Sequence, residues 1–180
     1  MVLWTELSNL FSVESDCPHR EKFGYGGDIV AAGEMAMFNF GMSRFYAKAV
    51  QDLADAVRPN GGFTETAPFV GISDEGLGEK SGPVGWGTAH PFLVWRLYQH
   101  YGDLRLLEEN YEPAKRWIAL LQSRAQDGIL DNGISDHESL VPKPRALTGT
   151  AFYYFNVKLF ASIARALGKE SEAAEAETLA

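Results

Sequence analysis

An all-α fold built from repeated helical hairpins is predicted by three features of this sequence. Apolar residues recur at helical spacing through most of the chain, with little strand-like alternation and no βαβ rhythm. Three apolar helices begin near Asp28, Thr88 and Leu147, spaced 60 and 59 residues apart. Each ends at a glycine turn, at Gly41, Gly102 and Gly168, and each is followed by a more polar helix. A fixed period of helical hairpins marks a repeat architecture. Short connections alternate with long ones, so every long loop falls at the same end. With the apolar helices inside and the polar ones outside, this describes an α/α toroid with its functional surface at the long-loop end.

The elements follow in order. Residues 3–13 read as the tail of an earlier helix. Residues 28–40 form a buried helix with Asp28 at the N-cap position. Residues 43–57 form its more polar partner. A glycine-rich loop covers 58–87, and 88–101 is the second apolar helix, with Pro91 tolerated in the first turn. Residues 103–125 are amphipathic and charged. A third loop, 126–145, leads to the apolar helix 146–167, and from residue 170 the chain is rich in Ala and Glu. The last helix reaches Ala180 without a cap. An open helical array exposes apolar faces that a closed ring would bury, so residues 1–180 are expected to be a piece cut at both ends from a larger ring.

Composition narrows the function. The 180 residues suffice for one domain, and 46% of them are hydrophobic. The formal charge of −8, from 24 acidic and 16 basic residues, argues against a nucleic-acid partner, which needs a surplus of Lys and Arg on one face. No apolar run reaches the roughly 18 residues of a membrane span. Cys17 is the single cysteine, so no intrachain disulfide forms; it reads as a small buried packing residue. A metal is the rival reading for Asp16, Cys17, His19, Asp28 and the 136–138 cluster, but paired ligands at zinc spacing are missing. No phosphate loop, dinucleotide fingerprint or nucleophile elbow occurs, so no cofactor is expected.

The chemistry concentrates in the loops. Residues 14–28 hold four carboxylates (Glu14, Asp16, Glu21 and Asp28) together with His19, Arg20 and Lys22. Pro18 and Gly24, Gly26 and Gly27 keep this run out of helix. Composition alone leaves a solvated surface loop equally open. In the loop 58–87, Trp86 by itself can be a plug in the mouth of the barrel. Asp74, Glu75 and Glu79 read as solvated charges without a role. In the third loop Asp136, His137 and Glu138 stand together.

The run Asp16-Cys17-Pro18, Arg20-Glu21-Lys22, Gly24-Tyr25 and Gly27-Asp28 resembles the signature loop of bacterial α-L-rhamnosidases. There Asp-Cys-Pro-Gln-Arg-Asp-Glu-Arg is followed by any residue and then Gly-Trp-Thr-Gly-Asp. This chain has His19 for Gln, Tyr25 for Trp, Gly26 for Thr, and one residue fewer ahead of Glu21. The segment around Trp86 resembles the family's glycine-rich Trp segment, and Asp136-His137 stands where most members have Asp-Trp.

The resemblance implies an (α/α)6 toroid, with about three of its six hairpins in residues 1–180 as the N-terminal half of the catalytic domain. It implies hydrolysis of terminal α-L-rhamnosyl residues with inversion, with Glu21 as general acid. Asp16, Arg20 and Asp28 would bind the sugar hydroxyls, and Tyr25, Trp86, Asp136 and His137 would shape the pocket. The implied partners are a rhamnose-containing glycoside or oligosaccharide, the remainder of the catalytic domain and accessory β domains. Inversion requires a second carboxylate to activate water, roughly 6.5–9.5 Å from the acid. In the resembled family that base is a Glu near the far end of the toroid, so it is expected outside this chain, and the piece alone is expected to be inactive. Two alternatives stay open: another six-hairpin glycosidase, acting on glucosides or uronides, and a carbohydrate-binding helical repeat without turnover.

Overall fold

The computed structural model describes residues 1–135, 137 and 139–180. Asp136 and Glu138, both singled out above, lie outside the described residues. Eight helices occur among the described residues: α1 (Val2–Asn9), α2 (Gly26–Asn39), α3 (Ser43–Asp55), α4 (Val84–Gly87), α5 (Ala89–Tyr101), α6 (Leu104–Arg124), α7 (Arg145–Ala166) and α8 (Glu170–Leu179). The three hairpins are α2/α3, α5/α6 and α7/α8. Helix α5 packs against both α2 and α7, giving an inner wall; α3 backs α5, α6 backs α5 and α7, and α8 backs α7.

The sequence pattern explains this layering. In α3 the buried residues are Tyr46, Val50 and Leu53, one stripe at helical spacing on an otherwise polar helix. In α5 every residue from Ala89 to Val94 is buried, as befits a helix covered on several sides. The layers are pinned by a buried polar chain. The Trp117 indole N–H donates to Asn156 Oδ1 at 2.9 Å, and Asn156 Nδ2 donates to Thr88 Oγ1 at 2.7 Å, joining α6, α7 and the start of α5. Fully buried polar side chains are tolerated because each finds a partner here.

Two expectations about helix ends are corrected. Asp28 is not the N-cap; Tyr25 occupies that position in extended conformation, and Asp28 lies in the first turn of α2. The helix starts earlier because Gly26 and Gly27 are packed against α4. A Cβ at Gly26 would stand 2.1 Å from the Trp86 carbonyl oxygen, and one at Gly27 2.6 Å from the Trp86 ring. Asp28 still benefits from its place, since a first-turn carboxylate faces the positive end of the helix dipole. Gly102 and Gly168 do adopt left-handed φ values of 71° and 70° after α5 and α7, but Gly41 does not. Helix α2 ends in extended backbone at Phe40, and the turn is held instead by the Met42 N–H donating to the Tyr101 hydroxyl at 3.1 Å.

The loop from 58 to 87 is solvated only in part: most of residues 68–80 faces solvent, while both flanks are buried. Residues 61–67 are buried, Phe63 stacks on His90 with ring centroids 4.2 Å apart, and His90 pairs with Asn110 at 2.9 Å. Its last turn is the short helix α4.

Candidate active site

The loop 14–28 is built from its base upward. Glu14 is only 3% exposed, and its Oε2 accepts from the Tyr46 hydroxyl of α3 at 2.6 Å. Burial pushes the Glu14 carboxyl up to about 7; Tyr46 opposes that shift, and the charges of Glu6 and Asp28 add to it. Asp16 closes the next turn: its Oδ1 accepts from the Phe23 N–H at 3.0 Å, and its own N–H donates to the Phe23 carbonyl at 3.1 Å. Cys17 is half-buried rather than a buried packing residue, because its Sγ accepts from the Glu21 N–H at 3.3 Å. Lys22 then turns the chain with a left-handed φ of 60°. The Tyr25 hydroxyl donates to Glu21 Oε2 at 2.7 Å.

The three long loops are bonded to one another at one end of the helices. The Gly26 N–H donates to the Glu65 carbonyl and the Ala67 N–H to the Gly24 carbonyl, each at 3.0 Å, which ties the first loop to the second. The second meets the third through Asn132 Nδ2 donating to the Gly76 carbonyl at 3.4 Å, and through Arg145, 3.1 Å from Glu75. Glu75, expected to be a solvated charge without a role, is therefore an exposed partner in a loop-to-loop ion pair. The Trp86 and His137 rings meet edge to face, with centroids 5.5 Å apart.

Asp28, Trp86, His137, Gly27, Thr148 and Phe152 are among the residues lining a cavity of about 480 Å³ at this end. That volume is typical of a small-molecule site. The lining is mixed: the Asp28 carboxyl together with the Trp86 and Phe152 rings. The Asp28 carboxyl is pushed above its ordinary range by burial, then by the charge of Asp16 and, more weakly, of Glu21. Its own backbone N–H and the nearby His137 work the other way. Asp16, Glu21 and His137 are thus all close enough to act on Asp28. Arg20 is not drawn in; it is exposed and makes no ion pair among the described residues.

Two buried carboxyl groups carry no distinctive mark in the sequence. Glu14 is one of four carboxylates in the loop 14–28, and nothing in the sequence sets it apart. Glu65 is 6% exposed, and its Oε2 accepts from the Asp74 N–H at 2.9 Å. Burial raises the Glu65 carboxyl, the Asp74 N–H opposes this, the Asp74 charge adds to it, and His137 lowers it. Glu65 therefore stands within electrostatic reach of the same histidine as Asp28. Its only sequence signal is a lone charge inside Phe63-Thr-Glu-Thr-Ala67, a pattern too common to single out a site.

Comparison with known proteins places this arrangement. The family described as bacterial alpha-L-rhamnosidase 6 hairpin glycosidase domain matches residues 1–180. An alpha-L-rhamnosidase of Formosa agariphila is 34% identical over 99% of this chain and 20% of its own length. The structure of the alpha-L-rhamnosidase from Dictyoglumus thermophilum superposes with a TM-score of 0.89 at 35% identity, covering 99% of this chain and 20% of that one. The Streptomyces avermitilis alpha-L-rhamnosidase complexed with L-rhamnose gives 0.86 at 30% identity, over 99% of this chain and 17% of that one. The chain spans about a fifth of the length of these relatives. The hairpins are accordingly part of a six-hairpin glycosidase fold, and the chain belongs to the bacterial α-L-rhamnosidase six-hairpin glycosidase domain family.

Proposed function

We propose that the protein carrying this chain hydrolyses terminal α-L-rhamnosyl glycosides with inversion, with Glu21 as the general acid. The observation that carries this reading is the cavity that sets Asp28 against Trp86, in a chain 30% identical to a rhamnosidase whose structure holds L-rhamnose. Rhamnose is a 6-deoxy sugar, with hydroxyls on one part of its surface and a methyl on another. Carboxylates at Asp16 and Asp28 accept from the hydroxyls, with Arg20 swinging in from solvent as a donor. The rings of Trp86 and Phe152 cover the apolar surface with His137 beside them, and Tyr25 stands by the acid.

In the reaction Glu21 gives its proton to the glycosidic oxygen as the bond to the anomeric carbon breaks. A water on the opposite face, deprotonated by a second carboxylate, completes the displacement. That base is assigned to the rest of the enzyme. The test follows the first anomer released from an aryl α-L-rhamnoside by the full-length protein, using proton NMR. Initial β-L-rhamnose supports inversion, and its loss in Glu21→Gln supports the acid. Initial α-L-rhamnose means retention. Cleavage of glucosides in preference to rhamnosides would favour a different six-hairpin glycosidase.

A further inference from the structure

We propose that the Tyr25 hydroxyl is a positioning group for the Glu21 carboxyl, fixing the acid in its shortened loop. The inference rests on the reading of Glu21 as the acid. It concerns a position where the aromatic ring carries a hydroxyl that a tryptophan lacks.

Glu21 is exposed, and a free Glu side chain has several rotors to order before it can deliver a proton to one oxygen atom. Its backbone is held by the Cys17 sulfur and by the left-handed turn at Lys22. Its side chain is held by Tyr25, at 2.7 Å. Tyr25 is itself fixed. It caps α2, its N–H donates to the Phe23 carbonyl at 3.1 Å, and it pairs with Thr66 across an antiparallel bridge. A half-buried ring anchored to the second loop thus presents one donor to Oε2. The other carboxyl oxygen, Oε1, is left to carry the transferable proton.

The same bond changes strength along the reaction. Before transfer the hydroxyl donates to a neutral carboxylic acid. As the Oε1–H bond breaks and the leaving oxygen gains the proton, it comes to donate to a carboxylate. Charge-assisted hydrogen bonds are about twice as strong as neutral ones, so the bond is worth more in the transition state than in the ground state, the condition for raising kcat. Tyr25 remains a donor throughout. Burial, the bond to Glu21 and the charges of Glu21, Glu65 and Asp16 all push its phenol up, away from ionisation.

The experiment compares wild type, Tyr25→Phe, Glu21→Gln and the double variant of the full-length enzyme on aryl α-L-rhamnosides with good and poor leaving groups. Tyr25→Phe keeps the ring. It should lower kcat by about ten-fold on poor leaving groups, the size of one charge-assisted contact, with little loss on good ones and KM unchanged. Added to Glu21→Gln it should cost nothing further. Wild-type kcat for Tyr25→Phe on poor leaving groups, with Glu21→Gln still leaving-group dependent, overturns the proposal and spares the acid. A raised KM at constant kcat overturns it in favour of sugar binding. Equal losses in Glu21→Gln on good and poor leaving groups would overturn the acid itself.

Discussion

The first and third long loops face each other across one cavity but are held there by different physics. The loop 14–28 is anchored by a buried carboxyl, by backbone bonds to the second loop and by side-chain bonds that close its own turns. The loop 126–145 is bonded near its start, where the Leu130 N–H donates to Thr150 Oγ1 at 3.0 Å. Further along it leans on Arg145, an exposed side chain paired with exposed Glu75 and Asp131, and it leaves Leu140 fully in solvent. Buried anchors hold geometry tightly and resist salt; exposed ion pairs contribute little and are screened. The side that carries the proposed acid is therefore preorganised by the fold, and the opposite wall is the adjustable one.

The largest expected effect attacks the buried anchor through pH. The folded carboxyl of Glu14 lies at about 7, against 4.5 in the unfolded chain. Below pH 4.5 it is protonated in both states and no stability is lost. Between 4.5 and 7 the unfolded chain gives up the proton while the folded chain keeps it, so stability falls, and above 7 the loss is complete. The window corresponds to roughly 3 kcal/mol. Glu14→Gln retains an acceptor for Tyr46 and cannot ionise. Its stability relative to wild type should rise between pH 5 and pH 8 by about that amount. A constant difference across the range would mean that Glu14 stays ionised and is not a buried neutral anchor.

That anchor also marks the limit of what the sequence disclosed. The hairpin period was legible because Gly102 and Gly168 take left-handed φ, a local property that the residue type itself advertises. The dense loop was legible from its run of carboxylates. Glu14 and Glu65 were not, because their burial is made by distant residues: Tyr46 lies 32 positions on, and Glu65 meets Asp74 through a fold of the second loop. Gly41 looked equivalent to the other two glycines, yet its turn is made by Tyr101 from the next hairpin. The convergence of Asp28, Trp86 and His137 was suggested by the period of the long loops, whereas the exposed course of Arg20 left no trace in the pattern.

An intermediate effect tests whether the first loop tolerates any slack against the second. Gly26→Ala puts a methyl where the Trp86 carbonyl oxygen lies 2.1 Å away, so backbone must move. Overpacking of that kind costs about 2 kcal/mol. Because Trp86 shifts with it, kcat/KM on an aryl rhamnoside should also fall. Gly41→Ala is the control, with nothing within 4 Å of the added methyl. Thermal melts of the two variants should separate clearly. Equal melting temperatures would mean that the α2–α4 contact is loose.

The smallest effect should come from the adjustable wall. Arg145 sits at the start of α7, 3.1 Å from Glu75 and 3.6 Å from Asp131, with all three side chains largely in solvent. An exposed ion pair is worth less than about 1 kcal/mol, so Arg145→Ala should leave the melting temperature almost unchanged. Its consequence should appear in binding. The pair joins the third loop to the second, and His137 on the third loop meets Trp86 on the second. Loosening the tie widens the range of His137 positions, so KM for an aryl rhamnoside should rise by about two- to five-fold at low salt, a fraction of one ion pair's worth, with kcat preserved. Added salt should raise KM in the wild type towards the variant's value, since screening undoes the same contact. If Arg145→Ala lowers kcat instead, and does so independently of salt, the third loop shares in the chemistry and the division between a preorganised side and an adjustable one does not hold.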